Sequence, residues 1–150
     1  MGHSFASCLY HCTFSTKGRR PMITNDLQTR LWPFMGGIAR ENGATALSIG
    51  GVEDHVHLLL AIPATMAIAN AMQLIKGGSS KWVHETFPNH GQFAWQEGYG
   101  AFSIAVSQRD HTIAYIQSQC EHHRRRSFQE EFMQFLKKHG FEYDERYIWD

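Results

Sequence analysis

The sequence predicts an α+β fold: a ferredoxin-like split βαβ arrangement with an antiparallel sheet, plus one or two helices at the C-terminal end. Three observations predict it. Four short runs are rich in β-branched, aromatic or alternating side chains, as strands are. Two longer stretches between them repeat apolar residues at helical spacing. The elements fall in the order β-α-β-β-α-β, which is the order of a split βαβ unit, and two helical stretches follow.

Residues 5–15 (FASCLYHCTFS) read as the first strand, ending before Lys17-Gly18. Cys8, Tyr10, Cys12 and Phe14 share one of its faces and read as core. Leu27, Leu31, Met35 and Ile38 then predict a helix over about 24–41. Pro33 inside it is expected to kink it or shift its start. Asn42-Gly43 ends it. Residues 44–50 form the second strand, and Gly50-Gly51 begins a connection. Residues 54–62 (DHVHLLLAI) form the third, stopped by Pro63.

A helix over about 65–86 follows, with Met66, Ala69, Met72 and Ile75 on one face, weakened midway by Gly77-Gly78. Residues 99–106 (YGAFSIAV) form the fourth strand. Ser107 and Asp110 have capping-box spacing and predict a helix over about 108–123. Ser127 and Glu130 repeat that signal. They open a last helix over about 127–139, which buries Phe128, Phe132, Phe135 and Leu136 and stops at Gly140. Residues 1–150 read as a single domain, a length that suits one core.

In this architecture both crossover helices cover one face of the sheet, and the other face is expected to stay open. Val56, Leu58, Leu60 and Ile62 point one way on the third strand, and His55 and His57 the other. On the fourth, Phe102, Ile104 and Val106 share a face, and the small Ser103 and Ala105 opposite leave room for a ligand.

Composition narrows the class. Hydrophobic residues make up 43% and charged residues 19%, the proportions of an ordinary folded domain. Formal net charge is zero, so any basic surface is local: Lys17-Gly18-Arg19-Arg20, Lys76 with Lys81, or Arg124-Arg125-Arg126. Cys8, Cys12 and Cys120 are too few and odd in number for a disulfide framework. No signal peptide is read at the N-terminus. The longest apolar run, Val56 to Ile62, is too short to span a bilayer. A reducing cytoplasm is the expected location.

Three constellations could carry chemistry. His55 and His57, two apart on a strand, project to one face and suit a divalent cation. Glu53 and Asp54 precede them as acceptors for an imidazole N–H. Two surface histidines on a strand are also a common arrangement. Tyr115 and Gln119, four apart, stack on one helical face with His111, His122 and Arg126. That face lies away from the stripe of Ile113, Ile116 and Cys120 that reads as buried. An ordinary exposed tyrosine accounts for Tyr115 equally well. As a nucleophile it needs help, because its reference pKa near 10 makes ionisation at pH 7 cost roughly 4 kcal/mol. The third constellation is Trp95 to Phe102, where Trp95 and Tyr99 alternate with glycines and could stack unpaired bases. Its other reading is a loop anchored by Trp95. Lys76-Gly-Gly-Ser-Ser-Lys81 lacks the order of a phosphate-binding loop, although Lys76 and Lys81 could touch a DNA backbone.

Taken together, these residues resemble the single-tyrosine HUH transposases of small bacterial and archaeal insertion sequences, the insertion-sequence-200-like family. The likeness rests on Gly51-Val-Glu-Asp-His-Val-His-Leu-Leu-Leu60, Lys76 to Lys81, Trp95 to Ser103, and Tyr115-Ile-Gln-Ser-Gln119. It continues through His122-His123 and Ser127-Phe128 with Glu131 beyond. It implies that His55, His57 and Gln119 bind Mg²⁺ or Mn²⁺. It implies that Tyr115 cleaves single-stranded DNA, forming a 5′-phosphotyrosine link and releasing a 3′-hydroxyl that later rejoins. Family members are dimers that recognise hairpins, often with the tyrosine helix of one subunit completing the histidine pair of the other. Arg124 and Arg125, with Lys76, Lys81, Trp95 and Tyr99, are the candidate DNA contacts. A host-adopted branch acting on repeated palindromes shares these features. A non-catalytic nucleic-acid-binding module and a metal-dependent hydrolase of small phosphate esters are the rival classes.

Overall fold

The computed structural model describes residues 2–119, 126–146 and 148–149. Its elements are β1 (Leu9–Ser15), α1 (Asn25–Glu41), β2 (Thr45–Gly51), β3 (His55–Ala61), α2 (Ile68–Thr86), β4 (Gly100–Ile104), α3 (Arg109–Gln117) and α4 (Phe128–Lys138). The sheet order is β2-β3-β1-β4, and all three pairings are antiparallel. This is the predicted split βαβ arrangement. No helix among the described residues is long and apolar enough to cross a membrane.

Period-two alternation on the central strands sorts the two faces. Cys12, Phe14, Val56, Leu58 and Leu60 pack against Leu27, Leu31 and Met35 of α1 and Met72, Ile75 and Val83 of α2. β1 starts later than expected because Phe5 is exposed and pairs with nothing in the sheet. Pro33 lies inside α1 without ending it. Thr24 caps its start by accepting from the Leu27 N–H, and Gly43 turns the chain at a φ of 85° past its end. Gly78 likewise does not interrupt α2. A Cβ there would stand 2.9 Å from the Ile38 side chain, so the glycine lets α1 and α2 close together.

The second face is not open. α3 lies over β2 and β3, and α4 packs on β4 through a cluster of Phe102, Phe128, Phe132 and Leu136. Phe102 pairs with His11 in register and shares its face, whereas Ser103 pairs with Tyr10 on the α1/α2 side. The expected ligand space beside Ser103 is therefore on the wrong side of the sheet. The reason is that α4 needs an apolar floor and Phe102 supplies it. The α3 helix rests close on β2: a Cβ at Gly50 would stand 2.5 Å from the Ile116 carbonyl oxygen. Gly50 in turn pairs with His57, so this small residue sets α3 directly above the histidines.

The start of α3 departs from expectation. Ser107 makes no cap; it lies in a short turn, Val106–Gln108, and the Ala105 N–H donates to Gln108 Oε1 instead. Ser127 does cap α4, accepting from the Glu130 N–H.

Candidate metal and tyrosine site

Between the sheet and the two C-terminal helices lies a buried polar layer. His11, Thr13 and Ser15 of β1, His55 and His57 of β3, Thr112 of α3, Gln119 just beyond α3, and Glu131 of α4 are all buried. Burying so many polar groups is unfavourable unless they are partnered, and His11, Thr13, Ser15, His55, His57, Gln119 and Glu131 all are.

The two histidines use their ring nitrogens in parallel ways. His55 Nδ1 lies 2.7 Å from Asp54 Oδ1, and His57 Nδ1 lies 2.8 Å from His11 Nε2. Both Nε2 atoms point to a common space. There His55 Nε2 is 3.2 Å from Gln119 Oε1 and 3.7 Å from Glu131 Oε1, and His57 Nε2 is 2.7 Å from Glu131 Oε1. The other carboxylate oxygen of Glu131 accepts the Tyr115 hydroxyl. One glutamate thus bridges the histidine pair and the tyrosine.

Electrostatics follow from this packing. Burial would raise the Glu131 pKa, but the hydrogen bond and charge of His57, helped by Tyr115, outweigh it and bring the carboxyl down to about 2. Burial and the neighbouring His57 push His11 down to about 3. Burial, with the carboxylate of Glu131 beside it, pushes the Tyr115 phenol up, so the hydroxyl stays protonated. The first two shifts have one sign for stability. Glu131 holds its charge in the folded state below the ordinary value of 4.5, so its contribution is lost as pH falls from there toward 2. His11 refuses a proton that the unfolded chain takes below 6.5, so stability also falls between 6.5 and 3. With EDTA present, the urea midpoint should decline steadily below about pH 6.5, and His11→Gln should flatten the part of that slope above pH 4.5. A midpoint that does not move between these values contradicts the arrangement.

The donor set fits a hard divalent cation. The ligand atoms of His55, His57 and Glu131 lie within 4.8 Å of one another. Metal bonds of about 2 Å to nitrogen and oxygen require such convergence. Two imidazoles with a carboxylate, and an amide oxygen from Gln119 beside them, make a mixed nitrogen and oxygen set.

Residues 4–119 match the family described as "Transposase IS200 like". The chain belongs to the IS200-like transposase family. Among relatives of this transposase, the ISDra2 transposase TnpA of Deinococcus radiodurans is 26% identical over 115 residues, which is 73% of this chain and 82% of that protein. The transposase for insertion sequence element IS200 of Salmonella typhimurium is 28% identical over 87 residues, 58% of this chain and 57% of that protein. Two solved structures share the fold. A Deinococcus radiodurans R1 transposase superposes with a TM-score of 0.63 at 24% identity, covering 79% of this chain and 96% of that one. A REP-associated tyrosine transposase bound to a REP hairpin gives 0.57 at 14% identity, covering 79% and 70%.

Within this IS200-like transposase, the histidine pair, Gln119 and Tyr115 come together, but not as the helical pattern suggests. The buried face of α3 carries Thr112 and Ile116 and continues to Gln119, which is only 2% exposed. Ile113 is only partly buried, and Cys120 lies outside the described residues. The helix sits on a polar layer, so its inward face is polar too. Asp54 is the expected imidazole partner. Glu131 and His11 were missed as site residues. Signals existed: Glu131 falls inside the apolar stripe of α4, and His11 shares a strand face with Thr13 and Ser15, beside β3 in the predicted sheet order.

The candidate DNA contacts fare unevenly. Trp95 is 8% exposed, stands edge-on to Phe14 and donates to Ser79 Oγ. It anchors the loop, and its faces are taken by the core rather than offered to bases. Lys76 donates to the carbonyls of Glu97 and Gly98, so it pins that same loop. Lys81 stays on the surface near Glu85, and Tyr99 is partly exposed. Arg124 and Arg125 lie outside the described residues, as do His122 and His123.

Proposed function

We propose that this transposase cleaves and rejoins single-stranded DNA at insertion-sequence ends, with Tyr115 as the nucleophile. The observation that carries the reading is the bridge made by Glu131. One of its oxygens joins the His55 and His57 Nε2 atoms, and the other accepts the Tyr115 hydroxyl. His55, His57 and Glu131, with Gln119, would hold Mg²⁺ or Mn²⁺. When bound, the cation supplies charge neutralisation to the scissile phosphate.

The chain's own groups do the rest. Tyr115 is protonated where it stands, and Glu131 Oε2 is placed to orient its hydroxyl. The proton leaves the hydroxyl as the phenolic oxygen bonds to phosphorus, and Glu131 Oε2, its hydrogen-bond partner, is placed to receive it. The bond to the 3′ oxygen breaks and that oxygen takes up a proton from water, leaving a 5′-phosphotyrosine and a free 3′-hydroxyl. A later 3′-hydroxyl reverses the step and joins the strands, and no external energy source is needed. DNA hairpins are the proposed recognition element, a homodimer the proposed assembly and the cytoplasm the proposed location.

The test is incubation with single-stranded oligonucleotides carrying the palindromes that flank the gene. An SDS-stable protein–DNA adduct should form with Mg²⁺ or Mn²⁺ and vanish in EDTA. Salt-sensitive binding without any cleavage supports a purely binding module instead.

A further inference from the structure

One buried side chain of the polar layer has no part in the proposed reaction. His11 is 5% exposed, its Nε2 lies 2.8 Å from His57 Nδ1, and the edges of Phe135 and Tyr115 confine its ring. We propose that His11 is a positioning residue: its Nε2 accepts the Nδ1–H of His57, and so fixes the tautomer and ring plane in which His57 Nε2 faces the cation. The inference rests on His57 being a ligand.

An imidazole that offers Nε2 to a cation carries its proton on Nδ1. His57 is fully buried, so that N–H needs an acceptor in the protein. A neutral imidazole at position 11 offers one at hydrogen-bond distance. His55 solves the same problem with Asp54 Oδ1 at 2.7 Å. The two ligands are therefore held from behind by different groups, one charged and one neutral. Partners of this kind typically change metal affinity about 10–100-fold.

The experiment uses the full chain, with Mn²⁺ as the probe and calorimetry as the readout. His11→Phe keeps the volume and removes the acceptor; His11→Gln keeps an acceptor near the same place. His11→Phe should weaken Mn²⁺ binding about 10–100-fold, and His11→Gln should stay close to the wild type. With Mg²⁺ bound, ¹H–¹⁵N spectra of the histidine rings should show the proton of His57 on Nδ1 in the wild type and in His11→Gln. Wild-type affinity in His11→Phe, or equal losses in both variants, overturns the assignment and leaves a packing role. If His11→Phe does not fold, His11→Asn, whose shorter amide stops short of His57, takes its place under the same criteria. A wild type that takes no Mn²⁺, or a His57→Ala variant that binds it normally, defeats the metal reading itself. The two failures are thus separable.

Discussion

Replacing Tyr115 with phenylalanine is expected to reduce adduct formation by at least about three orders of magnitude, because it removes the proposed nucleophile and leaves nothing to form the covalent bond. The ring stays, so its edge contacts with His57 and Phe135 stay. The hydrogen bond to Glu131 is lost with the hydroxyl, as is its interaction with Gln119. Leaving that carboxylate oxygen short of a donor costs about 1–3 kcal/mol, too little to unfold most domains. Circular dichroism should therefore match the wild type, and Mn²⁺ affinity should change little. Strand cleavage that survives in Tyr115→Phe points to a hydrolase using water, and the tyrosine reading is then wrong.

His57→Ala is expected to have the second largest effect, and a different one. It deletes a proposed ligand, the partner of Glu131 Oε1 and the partner of His11 in a single change. Mn²⁺ binding should weaken by more than the roughly 100-fold upper range for outer partners, and the adduct should disappear with it. Stability of the metal-free protein should fall by about 3–5 kcal/mol, because the Glu131 carboxylate stays buried without its histidine. Urea unfolding and calorimetry measure the two losses separately. A variant that keeps the adduct, or that binds Mn²⁺ as well as the wild type does, removes His57 from the site. Mixing His57→Ala with Tyr115→Phe adds a further result. The tyrosine meets the histidine pair within one chain here, which predicts no rescue in mixed dimers. Recovered adduct shows that the tyrosine serves the partner's histidines.

The architecture was legible because its signals are local. Alternation in HVHLLLA separates two faces, and Leu27, Leu31 and Met35 repeat at helical spacing whatever the rest of the chain does. The sheet order then follows from the element order. The histidine pair and Tyr115 with Gln119 could be seen for the same reason, as neighbours along one strand and one helix. What could not be read is which surfaces the last two helices cover. An amphipathic calculation places the apolar stripe inward, and for α3 this fails at Gln119, because the layer beneath the helix is made of histidines. The same blindness hid the packing of Phe102, whose face is decided by α4 from elsewhere in the sequence. Glu131 looked like one acid in the pair Glu130-Glu131. Spacing hints at the difference, with Glu130 at the capping position and Glu131 in line with the apolar stripe, and the fold turns Glu131 into the site. Trp95 shows the limit in the other direction: an aromatic among glycines resembles a stacking platform until its indole N–H is seen bound to Ser79.

Whether Tyr115 is the nucleophile is settled most directly by identifying the residue that carries the DNA. The adduct formed with Mn²⁺ would be digested with nuclease and protease, and the modified peptide sequenced by mass spectrometry. A single modified peptide is expected, with a nucleotide joined through its 5′ phosphate to Tyr115. Attachment to any other residue, or cleaved DNA with an unmodified Tyr115, contradicts it.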